Sequence, residues 1–167
     1  MSENEHIKLL KGRRSIRRFE TQPIEGEILT QILDTCRMCM SARNRQPWTF
    51  YVIKNKELIQ EIAKECTTGP FAAGAPLLIA IVADMELSPN WYLHDTCFVS
   101  LQLALAAWSF GIGTCWIGRI NRDNVKKLLN LKEKDHLLTV LPLGYPKGGI
   151  PEPRPRKALA EIVKYID

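Results

Sequence analysis

The sequence predicts a single domain, residues 1–167, in which helices and strands are mixed, and three observations carry that expectation. A chain of 167 residues with 46% hydrophobic and 25% charged residues is long enough to bury one substantial core. Helical and strand periodicities alternate along it, with no repeat, low-complexity tract or linker to divide it. The run PLLIAIVAD from Pro76 is continuous, apolar and of strand length, a pattern that suits a strand buried on both faces.

Taken in order, Ser2 and Glu5 have capping-box spacing before Ile7, Leu9 and Leu10, which predicts a short first helix ending near Gly12. RRSIRRF then reads as extended. Pro23 and Glu25 open a second helix whose stripe is Ile28, Leu29, Ile32, Leu33 and Cys36, ending near Ser41. WTFYVIKN is rich in aromatic and β-branched residues and predicts a strand, while KELIQEIAKEC after it has helical spacing. From Trp91 to Phe110 the chain is apolar almost all round until Gly111 supplies a stop, so a buried helix is expected. Asp95, Ser100 and Gln102 interrupt it too early for a membrane span, which leaves the centre of a domain or a partner subunit as its surroundings. A strand (TCWIG), a polar helix (NRDNVKKLLN) and a final strand (LLTVLPLG) follow, and the Pro-rich IPEPRPRK is extended.

Composition narrows the function classes. The opening MSENEHIKLLKGRR lacks the basic and then apolar order of a secretory signal, so a cytoplasmic protein without membrane association is expected. Five cysteines (Cys36, Cys39, Cys66, Cys97 and Cys115) are an odd number set among apolar residues, which argues against a disulfide framework. Cys36 and Cys39 form a C-x-x-C pair, but inside a helical pattern with no second pair and no nearby His. A structural role is favoured over metal or redox use, and no metal site is expected. The net charge of +5 raises nucleic acid or an acidic ligand as partners. The arginines are dispersed as Arg13, Arg14, Arg17 and Arg18, then Arg43 and Arg45, then Arg154 and Arg156, set among Pro, Ser and Asn. That pattern fits a phosphate site assembled by folding better than a continuous nucleic-acid-binding helix or arm.

Three motifs carry the chemistry. In RRSIR, alternate side chains of an extended segment share a face, so Arg13, Ser15 and Arg17 project together as two guanidinium forks around a hydroxyl. Such forks give paired, charge-assisted hydrogen bonds to phosphate, and a solvated basic strand edge is the equal alternative. SARNRQPW, residues 41–48, sets short polar groups on a loop stiffened by Pro47, a scaffold for hydrogen bonds to a heterocycle or sugar chain or simply a polar turn. In GIGTCWIG, residues 111–118, glycines permit close approach of backbone to a flat ligand, or else form a helix cap before a buried strand. The spacing is not that of a dinucleotide fingerprint, which would lead into a helix.

In this order, and with Arg154 and Arg156 after them, the three motifs resemble the nitroreductase family of FMN flavoproteins, from about Ile7 to Val163. The resemblance implies an α+β nitroreductase-like fold, with a central, mainly antiparallel sheet flanked by helices, in an intertwined homodimer holding FMN at the subunit interface. Carried over by motif, Arg13, Arg14 and Ser15 are expected to bind the FMN phosphate and ribityl chain, with Arg154 and Arg156 completing the phosphate site. Arg17 is expected near the pyrimidine edge of the ring, where a cation favours the reduced flavin. Ser41, Ala42, Arg43 and Asn44, with Gln46 as a further contact, are expected to come from the other subunit. Cys115, Trp116, Ile117 and Gly118 are expected to pass backbone along the reactive edge. The implied activity is hydride transfer from NADH or NADPH through the flavin to small electron-poor acceptors such as nitroaromatics, quinones or flavins. No side chain is then needed as acid, base or nucleophile, and a non-catalytic flavin-storage or redox-sensing protein is the alternative. Met40 replaces a proline common in the family, and the Thr67 to Asn90 stretch is short against longer members.

Overall fold

The computed structural model describes residues 4–166. Its centre is strand β2 (Leu77–Asp84), formed by the continuous apolar run and buried as far as Ala83. Strands β1 (Trp48–Ile53) and β4 (Asp135–Gly144) pair with it on either side, and the two-residue β3 (Gly113–Thr114) pairs with β4. The order is β1-β2-β4-β3, antiparallel throughout.

Two apolar layers explain why β2 has no polar face. Leu77, Ile79 and Ile81 pack with Leu29, Ile32 and Cys36 of α2 (Gly26–Arg37) and with Val99 and Leu103 of α4 (Tyr92–Ser109). Leu78, Ala80 and Val82 pack on the opposite side with Ile59 and Ile62 of α3 (Lys56–Lys64) and Val125 of α5 (Arg122–Leu128). Alternate side chains of one strand therefore serve two cores, and both are apolar because helices cover both. Leu138 is the extra residue of a bulge opposite Ile81 and Val82, where the β2 register steps from Thr139 to Leu137.

Some boundaries differ from the sequence expectation. Helix α1 (Glu5–Gly12) is capped by Asn4, whose side chain accepts from His6 N at 2.8 Å; the Ser2 of the expected capping box lies outside the described residues. Helix α2 stops at Arg37, well before Ser41, because Met38 N and Cys39 N turn back to Thr35 O and Cys36 O and tuck Cys39 into the core. The strand expected over TCWIG is confined to Gly113 and Thr114. Beyond them Thr139 Oγ1 donates to Ile117 O at 3.0 Å, so a side chain takes the place of ladder bonds. Helix α4 is buried on one side only: Val99, Leu103 and Ala107 face the core, whereas Leu93, Phe98 and Leu101, with Trp91 before the helix, are exposed. No helix among the described residues is long and apolar enough to cross a membrane. The tail has no regular secondary structure from Pro151 to Ala158, and its short α6 (Leu159–Ile162) buries no residue.

Candidate cofactor-binding site

The RRSIRRF segment runs extended across the edge of the sheet. Ile16 N donates to Thr114 O at 2.9 Å and Ser15 bridges Thr114 in parallel, while Phe19 bridges Pro146 and Glu20 N donates to Tyr145 O at 2.9 Å. Ile16 and Phe19 are buried, leaving the arginines between and before them on the outer side. Gly113 makes this approach possible, since a Cβ there would overlap the Ile16 side chain. Its role is thus to admit another strand of the same chain. Gly118, by contrast, faces open space.

Arg14 is held at the end of α1, its Nη1 donating to Lys11 O, Gly12 O and Arg13 O at 2.8, 3.0 and 3.0 Å. A guanidinium there satisfies carbonyls that the helix leaves unpaired and complements its negative end. The Arg14 Nε is buried without a hydrogen-bond partner. Arg13, Arg14 and Ser15 then meet the tail residues Arg154 and Arg156 around one cavity of ≈ 400 Å³, with Leu10, Lys11 and Pro153 completing its wall. Two segments about 140 residues apart in sequence supply its arginines, and the lining holds five cations, a hydroxyl and no carboxylate. This donor set, with one buried guanidinium nitrogen unpaired, fits a phosphate group such as that of FMN.

Arg17 lies outside the arginine cavity, its guanidinium 5.8 Å from the centre of the Phe71 ring. Cys115 lies close by. Burial pushes its thiol up, while Arg17, a hydrogen bond with Ser15, and Arg13 pull the other way. RRSIR and GIGTCWIG therefore lie side by side. Within the second motif Cys115 and Ile117 point inward, whereas Trp116 and Gly118 are exposed. Gly118 also borders a shallower cavity of ≈ 540 Å³ with Thr67, Arg119, Ile120, Asn121 and Arg122.

The third motif stands elsewhere. In the 41–46 loop, Arg43, Asn44 and Gln46 have φ of 54°, 55° and 49°, the left-handed region that non-glycine residues seldom adopt. Gln46 N donates to Ser41 Oγ at 2.9 Å and Gln46 Nε2 to Asn44 O at 3.1 Å, while Ala42 N donates to Asp95 Oδ1 at 2.9 Å. Asp95 belongs to the first turn of α4, whereas the arginine cavity lies toward the other end, where Gly12 packs on Trp108. Thirteen residues of helix separate Asp95 from Trp108, about 20 Å at 1.5 Å per residue. Within one chain the Ser41–Gln46 loop and the arginine cavity are therefore distinct.

Lys11 and Phe71, beside the arginines, and Asp95, beside the 41–46 loop, were not among the site residues singled out from sequence. Lys11 had a signal, being a basic residue in the last turn of a helix that leads into RRSIR, while Asp95 showed only as a polar interruption. In the C-x-x-C pair, burial pushes the Cys36 thiol up to about 12, with Cys39 adding to the effect, which disfavours the Cys36 thiolate. Among the described residues no group of His, Cys, Asp and Glu is arranged to hold a metal ion.

The nitroreductase family model matches residues 10–73 and 65–145. The chain belongs to the nitroreductase family. This family of flavin-dependent oxidoreductases accounts for the antiparallel sheet flanked by helices. A relative from Methanothermobacter thermautotrophicus, provisionally described as an NADH dehydrogenase/NAD(P)H nitroreductase, is 30% identical over 152 residues, covering 87% of this chain and 80% of that one. The FMN reductase [NAD(P)H] of Bacillus subtilis is 28% identical over 188 residues, covering 98% and 76%. The solved structure of an FMN-dependent nitroreductase from Clostridium difficile superposes with a TM-score of 0.86 at 26% identity, covering 95% of this nitroreductase-family chain and 98% of the other.

Proposed function

We propose that this nitroreductase-family protein is an FMN-dependent oxidoreductase that works as a homodimer, takes electrons from NADH or NADPH and passes them to nitroaromatics, quinones or flavins. The observation that carries the proposal is the cavity in which Arg13, Arg14 and Ser15 meet Arg154 and Arg156. FMN held there would supply the hydride-transfer chemistry between nicotinamide and acceptor, so no side chain has to serve as acid, base or nucleophile. Arg13, Arg154 and Arg156 would hold the phosphate by charge-assisted bonds, with Ser15 toward the ribityl chain. Arg17, further along the same extended segment, would set a positive charge beside the ring and favour negative charge there. Cys115 to Gly118 would supply backbone along the reactive edge, with exposed Trp116 and Gly118 leaving room for a flat acceptor.

Assembly follows from what one chain leaves apart. The Ser41–Gln46 loop carries groups suited to a heterocycle, yet it stands at the other end of α4 from the arginines, which supports its serving the site of a second copy. Exposed Leu93, Phe98 and Leu101 on α4 form an apolar face for that copy. The tail's Leu159, Ile162, Tyr165 and Ile166 are exposed as well, and an exposed apolar arm of this kind suits wrapping over a partner. The purified protein is expected to be yellow, to release FMN on denaturation, to bleach with NADH or NADPH and to regain colour with a quinone or nitroaromatic. A colourless protein that takes up no FMN would overturn the reading. Flavin that binds but is not reduced by either nicotinamide would leave a storage or sensing role.

A further inference from the structure

We infer that Asp95 is a positioning residue for this site: its buried carboxylate clamps the Ser41–Gln46 loop in the conformation that meets the cofactor. The inference rests on the reading that the loop faces FMN. Asp95 is 2% exposed, in a chain whose carboxylates are otherwise mostly at the surface. Its Oδ1 accepts from Ala42 N at 2.9 Å and its Oδ2 from Ser88 Oγ at 3.3 Å. Burying a carboxylate is costly unless its oxygens are occupied, and here one oxygen is committed to the backbone of the loop.

The loop needs such a clamp. Three of its residues have left-handed φ and none is glycine, a conformation that persists only where surrounding groups impose it. Ser41 Oγ and Gln46 Nε2 brace it from within, but nothing inside the loop fixes it to the body of the protein. Asp95 does so at Ala42. At the far end Asp84 N donates to Pro47 O at 2.7 Å. Both ends are therefore tied to residues that flank the connection between β2 and α4, Asp84 at the end of β2 and Asp95 in the first turn of α4.

That connection is itself ordered to hold the carboxylate. Asp84 Oδ1 accepts from Glu86 N and Leu87 N at 2.9 and 3.0 Å, which turns the chain after β2. Ser88 O then accepts from Trp91 N and Tyr92 N at 3.0 and 2.8 Å, starting α4 and leaving the Ser88 hydroxyl directed at Asp95. The short segment thus acts as a staple. Because Asp95 shares α4 with the exposed apolar face, it joins the loop to the helix on which a second copy would sit.

The test compares Asp95→Ala, Asp95→Asn and Asn44→Ala in the full-length protein, reading FMN dissociation by flavin fluorescence, thermal unfolding of the apoprotein, and amide exchange at Ala42. Asp95→Ala is expected to weaken FMN binding about tenfold or more and to expose the Ala42 amide to exchange. Asp95→Asn keeps an acceptor for that amide and should restore most of the affinity, and it remains informative if the alanine variant folds poorly. Asn44→Ala reports whether the loop meets FMN at all. Weaker binding in Asn44→Ala with unchanged affinity in folded Asp95→Ala overturns the clamp alone. Unchanged affinity in both variants overturns the placement of the loop, and the clamp with it. An Asp95→Asn variant as impaired as Asp95→Ala, with Ala42 still protected, also counts against the clamp.

Discussion

Three side-chain positions decide how the site would work. Arg13 and Arg156 enter the cavity from opposite ends of the sequence, so each should contribute a charge-assisted contact to the same phosphate. Replacing either by Ala is expected to cost about 1.5 to 3 kcal/mol, or one to two decades in FMN affinity by titration, with the fold retained. Arg17 stands outside that cavity, so Arg17→Gln should keep much of its flavin while lowering the midpoint potential and slowing reduction by nicotinamide. A shift of about 30 mV corresponds to roughly 1.4 kcal/mol for a two-electron couple, within reach of a redox titration. Gly113 serves the backbone: Gly113→Ala would drive a methyl into Ile16 and push RRSIR away from β3. Loss of both thermal stability and FMN binding is expected there, whereas Gly118→Ala, which faces open space, should leave stability unchanged. RRSIR was legible in sequence as a basic extended segment, but its alternation grouped Arg17 with Arg13 and Ser15, whereas Arg14 is the residue that lines the cavity with them. The partners of its residues were not legible, because Arg154 and Arg156 reach them only through the path of the folded chain.

At the level of elements, β4 and its neighbours carry a pH dependence. His136 packs edge-on against Tyr92 of α4, with ring centres 5.3 Å apart, and burial lowers its pKa, with Arg122 and Lys126 of α5 lowering it further. The unfolded chain therefore takes up this proton first as pH falls, near the ordinary value of 6.5. Stability is fully present above that value and declines as pH falls from it toward the lower folded-state pKa. His136→Gln should flatten the decline measured by urea unfolding between neutral and mildly acidic pH. Element positions followed from periodicity for α2, β1, α3, β2 and β4, whose apolar stripes match the two cores. The end of α2 and the length of β3 were not legible: a buried Cys39 set the first and the Thr139 hydroxyl the second, and neither contact has a local pattern.

For the molecule as a whole, the apolar surface of α4 is the feature that one chain leaves unresolved. Phe98 and Leu101 are 49% and 57% exposed on the same helix whose other side fills the core. Phe98→Glu or Leu101→Glu is expected to shift sedimentation from dimer to monomer and to release FMN with it, since the loop and the arginines would no longer meet. A monomer that retains tightly bound FMN would contradict the shared site.

The sequence alone determined a mixed helix and strand chain, its strongest periodic elements, and an ordered set of motifs specific enough to indicate the family. Those features are local, since spacing sets the face a residue occupies and composition sets what that face prefers to touch. The tertiary structure alone decided which motifs share a surface. It joined RRSIR to the distant tail arginines and to GIGTCWIG, and left SARN at the far end of α4 under Asp95. It also showed that the helix expected in the centre of a domain or against a partner subunit keeps an apolar side outward in the single chain. The physical reason is that hydrophobicity marks what avoids water, while the path of the chain decides whether its own core or another surface does the covering.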